Sequence, residues 1–192
     1  MALPNAAERT QSDLAHLIHP LYHPTDHQEP RIWVEGRGAL MKDINGVEVI
    51  DGLGGLWNVN IGHGRRELGE AALQQMNTLA YCSSYTGASN LPAIELAERL
   101  SRVVYPSINT FFFTSGGAES TESSFKTARF YWKTQGKPDK VKVISRMLAY
   151  HGVTMAAMSA TGIPDYWKMF EPRVPNFVHI ASPYPYRFEG GD

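Results

Sequence analysis

The spacing of apolar and polar positions changes several times along the chain, most sharply between Ile108 and Lys126. Ile108 to Phe113 is apolar except for Asn109 and Thr110, and its second half shows no alternation. Such a run predicts a strand buried on both faces, as in a parallel sheet. Thr114, Ser115, Gly116 and Gly117 then turn the chain. From Ala118 the period becomes helical, with Ala118, Thr121, Phe125, Ala128 and Trp132 on one face. A strand, a glycine turn and a helix present backbone N–H groups and the positive end of a helix dipole to an anion, and a phosphate is the natural guest. The turn has neither the Gly-Lys-Ser/Thr of a nucleotide P-loop nor spaced dinucleotide-binding glycines. The expected guest is therefore another phosphorylated small molecule. A tight corner that binds nothing fits the same residues.

The rest of the chain reads as short elements around this one. Asn5 to Ile18 predicts a helix. Ile32 to Asp51 predicts an antiparallel meander, its pieces divided at Gly36-Arg37-Gly38 and at Asp43-Ile44-Asn45-Gly46. Asp51 to Arg65 holds five glycines around Trp57, a density that signals positive φ or close backbone approach. Trp57 there either plugs a core or lines a pocket. Glu67 to Leu79 is amphipathic, Tyr81 to Ser89 reads as loop, and Asn90 and Pro92 open a helix with Ala93, Leu96, Ala97, Leu100 and Val104 on its apolar stripe. Val141 to Ser145 is a second buried strand, Val153 to Ser159 a small-residue helix, and Phe177 to Ala181 a third strand. The first strand, the helix after it and Val141–Ser145 make a βαβ unit of an α/β fold. Ligands collect at the carboxyl ends of strands in such sheets, so Tyr150 and the Gly116-Gly117 turn are expected to border one crevice.

Composition narrows the classes. The 192 residues are 43% hydrophobic and 11% aromatic, which suits a globular chain. With 18 basic and 19 acidic residues the net charge is −1, and no basic block supports nucleic-acid binding. No apolar stretch approaches membrane-spanning or signal-peptide length, and Cys82 stands alone, so a cytoplasmic protein without disulfides is expected. His16, His19, His23 and His27 are spaced like metal ligands, but Pro20, Pro24 and Pro30 keep them off one helical face, and no metal is expected. Three parallel strands make a thin sheet, and the chain stops at Glu189-Gly190-Gly191-Asp192 without a following element. It reads as the front part of a longer protein.

At Gly55-Leu56-Trp57-Asn58-Val59-Asn60-Ile61-Gly62-His63-Gly64-Arg65, Phe112 to Glu122 and Tyr150-His151-Gly152 the sequence resembles the class III aminotransferases. These are fold-type I enzymes that use pyridoxal 5′-phosphate (PLP), and the likeness is closest to the amine or ω-amino acid–pyruvate branch. The resemblance implies an incomplete α/β fold: residues 1–60 would carry the meander of a small domain, and 61–192 the first part of a large, mostly parallel PLP-binding domain. It implies a phosphate cup at Gly116, Gly117 and Ala118 with Glu119 behind it. The family's usual Ser-Gly-Ser is here Gly-Gly-Ala, which puts binding on backbone N–H groups. Tyr150 would stack on the cofactor ring, followed by His151. Trp57 and Tyr22 would line the substrate pocket, and Tyr85 would reach toward the partner subunit of a homodimer.

The family's Schiff-base lysine, the aspartate on the pyridine nitrogen and the carboxylate-binding arginine come from later strands. None of Lys42, Lys126, Lys133, Lys137, Lys140, Lys142 and Lys168 stands at a strand end of the right kind, so no catalytic residue is assigned within the chain. The implied activity is amino transfer from an amine or ω-amino acid to a keto acid such as pyruvate, by the full-length enzyme. A truncated non-catalytic remnant and part of a related aminomutase are the alternatives. A nucleotide-dependent oxidoreductase fails on the missing glycine fingerprint and on Ser145-Arg146, where an acid would stand.

Overall fold

The computed structural model describes residues 5–23, 25–26 and 28–187; Pro24, His27 and the closing Glu189–Asp192 lie outside that range. The chain forms two compact units, 1–91 and 92–192.

In the first unit, helix α1 (Ala6–His16) begins at Asn5, whose Oδ1 accepts the Ala7 N–H at 3.1 Å. The predicted meander is present as an antiparallel sheet in the order β1 (Trp33–Arg37), β2 (Leu40–Asp43) and β3 (Glu48–Ile50). Glu35 pairs with Lys42 and Arg37 with Leu40, so Gly36 and Arg37 belong to the strand and the turn is narrower than the sequence suggested. The second turn follows its Asp-Ile-Asn-Gly signature. Asp43 Oδ1 accepts the N–H groups of Asn45 and Val47, and the Gly46 N–H donates to the Asp43 carbonyl. Asp43 and Ile44 are the buried residues at this corner. A short turn, α2 (Gly54–Trp57), and helix α3 (Arg66–Leu79) follow.

In the second unit, α4 (Leu91–Val103) and the long α5 (Gly117–Thr134) lead to strand β4 (Val143–Arg146), helix α6 (Met155–Ala160) and strand β5 (Phe177–Ile180). Strands β4 and β5 are parallel, with Val143 opposite Phe177 and Arg146 opposite Ile180. The βαβ unit is therefore β4–α6–β5, built one element later than expected. Ile108–Phe113 is not a strand: it has no ladder partner among the described residues, and Phe112 is 80% exposed. A strand exists only through hydrogen bonds to a neighbour, and neither β4 nor β5 stands beside it. Among the described residues two parallel strands are present where three were expected, and Ile144 of β4 is exposed.

The core of this unit is α6, whose Ala157, Ser159, Ala160 and the following Thr161 are almost fully enclosed. Small side chains let the helix backbone lie close to its neighbours. Its polar groups are satisfied there: Ser159 Oγ accepts the Val174 N–H, and the Ala160 and Thr161 carbonyls bond His179 Nε2 and Trp167 Nε1. No helix among the described residues is long and apolar enough to cross a membrane.

Candidate functional site

The amino end of α5 is the first half of the site. Gly116, in extended conformation, precedes the helix and supplies no side-chain cap. The Gly116 carbonyl accepts the Ser120 N–H, whereas the N–H groups of Gly117, Ala118 and Glu119 have no acceptor among the described residues. Glu119 turns back so that its Oε2 accepts the Ser115 N–H at 2.9 Å. Thr114 Oγ1 bonds Ser120 Oγ, closing the other side of the turn. A Cβ added at Gly116 or Gly117 would meet nothing within 4 Å. The result is an open cradle of unused donors at the positive end of an 18-residue helix.

The second half is the loop after β4. Met147 extends the parallel ladder with an N–H bond to Ile180, and Leu148 and Gly162 tie the loop's two ends together. The His151 N–H donates to Thr161 Oγ1 at 2.9 Å, which fastens the loop to the end of α6. Gly152 then brings this loop against the cradle. Its φ is 129°, and a Cβ there would come within 2.7 Å of the Ala118 Cβ and 2.8 Å of its Cα. Only glycine permits both the backbone angle and the approach. Gly152 thus brings the end of the Tyr150–Gly152 block against Ala118 at the α5 amino end. Tyr150 itself is 56% exposed, its ring edge-on to Tyr166 at 6.3 Å.

Glu122 is the residue whose role the sequence did not disclose. Its Oε1 accepts Thr154 Oγ1 at 2.6 Å, the Ala156 N–H at 3.0 Å and the Ala157 N–H at 3.3 Å. A carboxylate from α5 therefore caps α6, 32 to 35 residues away in sequence. The signal was faint: Thr154 is an N-cap residue whose own side chain makes no capping bond.

Trp57, Tyr22 and Tyr85 belong to the other unit, and all three are exposed. Tyr85 opens a short 3₁₀ turn, and Tyr22 follows Leu21, whose φ is 64°. Trp57 ends α2, a turn of left-handed backbone with φ of 57° at Gly54, 59° at Gly55, 58° at Leu56 and 65° at Trp57. The glycines adopt this without penalty, whereas Leu56 and Trp57 cost about 1–2 kcal/mol each. Trp57 is 71% exposed, so it does not plug a core. The turn is held from both sides. Asp51 Oδ2 accepts the Gly55 N–H at 2.7 Å and bonds His63 Nε2 at 2.8 Å, while Asn58 Nδ2 donates to the Gly55 and Leu56 carbonyls. The hydrogen bond from His63, followed by backbone bonds from Gly55 and Leu53, holds the Asp51 carboxyl below its ordinary range. A cleft of about 360 Å³ runs beside this turn, bordered by Trp57, Asp51 and His63.

Comparison with known proteins identifies the frame to which these features belong. A profile of the family described as "Aminotransferase class-III" matches residues 21–191. The chain belongs to the class III aminotransferases.

It is 44% identical over 170 residues to the probable aminotransferase Rv3329 of Mycobacterium tuberculosis, a match covering 88% of this chain and 36% of that protein. To the putrescine–pyruvate aminotransferase of Pseudomonas aeruginosa it is 36% identical, over 89% of this chain and 37% of that one. A thermostable (S)-enantioselective ω-transaminase from Thermomicrobium roseum superposes with a TM-score of 0.95 at 48% identity, over 99% of this chain and 43% of that structure. The chain thus spans less than half the length of these relatives. Its two sheets are part of the fold-type I transferase architecture.

Class III aminotransferases depend on PLP, and the residues present fit such a group. The donors left unused at Gly117, Ala118 and Glu119 suit a phosphate, and the open space at Gly116 and Gly117 leaves room for one. Gly152 sets the loop that carries an exposed aromatic ring, Tyr150, at the edge of the same cradle. The Glu119 carboxylate is engaged with the Ser115 N–H and shapes the turn.

Proposed function

We propose that this chain forms the amino-terminal part of a PLP-dependent ω-aminotransferase, which moves an amino group from an amine or ω-amino acid to a keto acid such as pyruvate. The contact of Gly152 with Ala118 supports this reading most directly, because it joins an anion cradle to an aromatic loop in one border. Backbone N–H groups of Gly117 and Ala118, with Gly116 leaving the approach open, hold the phosphate. Glu119 keeps the turn in shape, and Tyr150 covers a face of the pyridine ring with His151 beside it. The bound cofactor supplies an electron sink for charge that develops on the substrate carbon. Trp57 and Tyr22 bound the substrate side, and Tyr85 faces the active site of a second subunit in a homodimer. Residues 1–60 belong to the small domain and 61–192 to the large one.

The 192 residues alone are inactive on this reading, since none of their seven lysines serves to link the cofactor covalently. Lys168, for instance, is engaged with Asp165 at 2.7 Å, and Lys137 and Lys140 lie over the Trp132 ring. The cradle is tested with Gly117→Asp. A Cβ at Gly117 meets nothing within 4 Å, and an acid in the first turn favours the helix, so the variant is expected to stay folded while its carboxylate competes with a phosphate at the amino end. PLP affinity, followed by phosphorus NMR, is expected to fall at least about tenfold. Unchanged affinity overturns the assignment. Borohydride treatment of the chain with PLP is expected to label no unique lysine; one specific labelled lysine contradicts the claim of inactivity. The activity itself is tested in the full-length enzyme by alanine formation from pyruvate and an amine donor.

A further inference from the structure

Trp57 sits at the end of a backbone turn that L-residues avoid; Asn58 binds the turn's carbonyls, and one carboxylate ties its Gly55 N–H to the rest of the unit. Asp51 is the first residue of the glycine-rich loop, and His63 lies near its end. The Asp51 side chain is 6% exposed and its Oδ2 bonds both the Gly55 N–H inside the turn and His63 Nε2 outside it. His63 is fixed in its own right. Its backbone N–H and carbonyl exchange bonds with Gly38 at 2.8 and 3.1 Å. Its ring lies so close to Gly36 that an added Cβ would come within 2.7 Å of His63 Cγ. The β1–β2 hairpin thereby holds His63, His63 holds Asp51, and Asp51 holds Gly55.

We propose that Asp51 and His63 are positioning residues: the pair locks the left-handed turn to the meander, fixes Trp57 as a wall of the substrate pocket, and so sets how strongly bulky amines are excluded. The last step rests on the proposed role of Trp57. Without the pair, Leu56 and Trp57 relax toward ordinary backbone angles and the indole leaves its place. Among the described residues no other titratable side chain bonds Asp51, and the neighbouring Arg65 is occupied by Glu67.

The test uses the full-length enzyme with 5-fluorotryptophan at its tryptophans, the Trp57 fluorine signal being assigned by its loss in Trp57→Phe. His63→Phe keeps a ring against Gly36 but removes the donor to Asp51. The Trp57 signal is expected to shift or broaden while those of Trp132 and Trp167 stay. His63→Gln, which can donate again, is expected to bring it back. In kinetics, His63→Phe should lower the preference for a small over a bulky amine by about fivefold through KM, with kcat for the small amine changed less than about twofold. In the Trp57→Phe background the same change should have no further effect on that preference. An unmoved Trp57 signal overturns the lock, whatever the kinetics. An effect of His63→Phe that persists without Trp57 overturns action through Trp57. A moved signal with unaltered preference in Trp57→Phe leaves the lock standing and overturns the pocket-wall role with its specificity consequence. Should His63→Phe fail to fold, Asp51→Ala, which removes the shared acceptor, supplies the same readings.

Discussion

At Gly152 a single missing methyl group decides whether the two halves of the phosphate region can meet. Gly152→Ala would need a positive φ and would press on the Ala118 backbone. The variant is expected to lose more than about 1 kcal/mol of stability and most PLP affinity together, in a chemical denaturation series and a binding titration. Asp51 makes a different kind of prediction. Its carboxyl is held below the ordinary value of 3.8, chiefly by the hydrogen bond from His63. A lowered folded-state pKa means that the stabilisation is complete above 3.8 and disappears as pH falls through the lower folded value. In carbon NMR the Asp51 side-chain signal should therefore titrate below 3.8, and His63→Phe should move its midpoint upward. A midpoint that does not respond to His63→Phe contradicts the bond.

Among the elements, α6 depends on α5 for its beginning. Glu122 supplies the acceptor that Thr154 does not, so α5 is fastened directly to the start of α6. Glu122→Ala is expected to cost about 1–2 kcal/mol, the usual range for a lost cap. Amide hydrogen exchange should quicken at Ala156 and Ala157 while the middle of α5 stays protected. Equal acceleration along α5 would show that Glu122 serves α5 itself. The element that the sequence misjudged, Ile108–Phe113, is instructive for the same reason. Its composition is that of a buried strand, but strand formation is a property of a pair, and the pair is absent from β4 and β5.

The whole molecule carries more apolar surface than it can cover. Leu68, Leu73 and Met76 on α3, Leu91, Ile94 and Leu96 on α4, and Phe112 and Phe130 around α5 are all exposed. The β4–β5 pair also leaves two edges without ladder partners among the described residues. Exposed apolar side chains in this number suit contact with further protein surface, and the relatives are more than twice as long. The isolated 192-residue chain is expected to bind a hydrophobic dye and to self-associate in sedimentation. A dye-silent monomer with a cooperative thermal transition would contradict that expectation.

The sequence by itself determined what local chemistry can determine. Asp43-Ile44-Asn45-Gly46 dictated its hairpin, Asn5 its helix start, and the glycines around Trp57 a backbone with positive φ. Three residue blocks together were also enough for the family, because each combines residue types with few other reasons to coincide. Tertiary structure alone decided which distant groups meet. That Glu122 caps α6, that Asp51 and His63 close on Gly55, and that Ala118 admits only a glycine opposite it are facts about pairs far apart in the chain. Local propensity carries no record of such pairs, since the energy of each bond arises only when folding has brought both partners together.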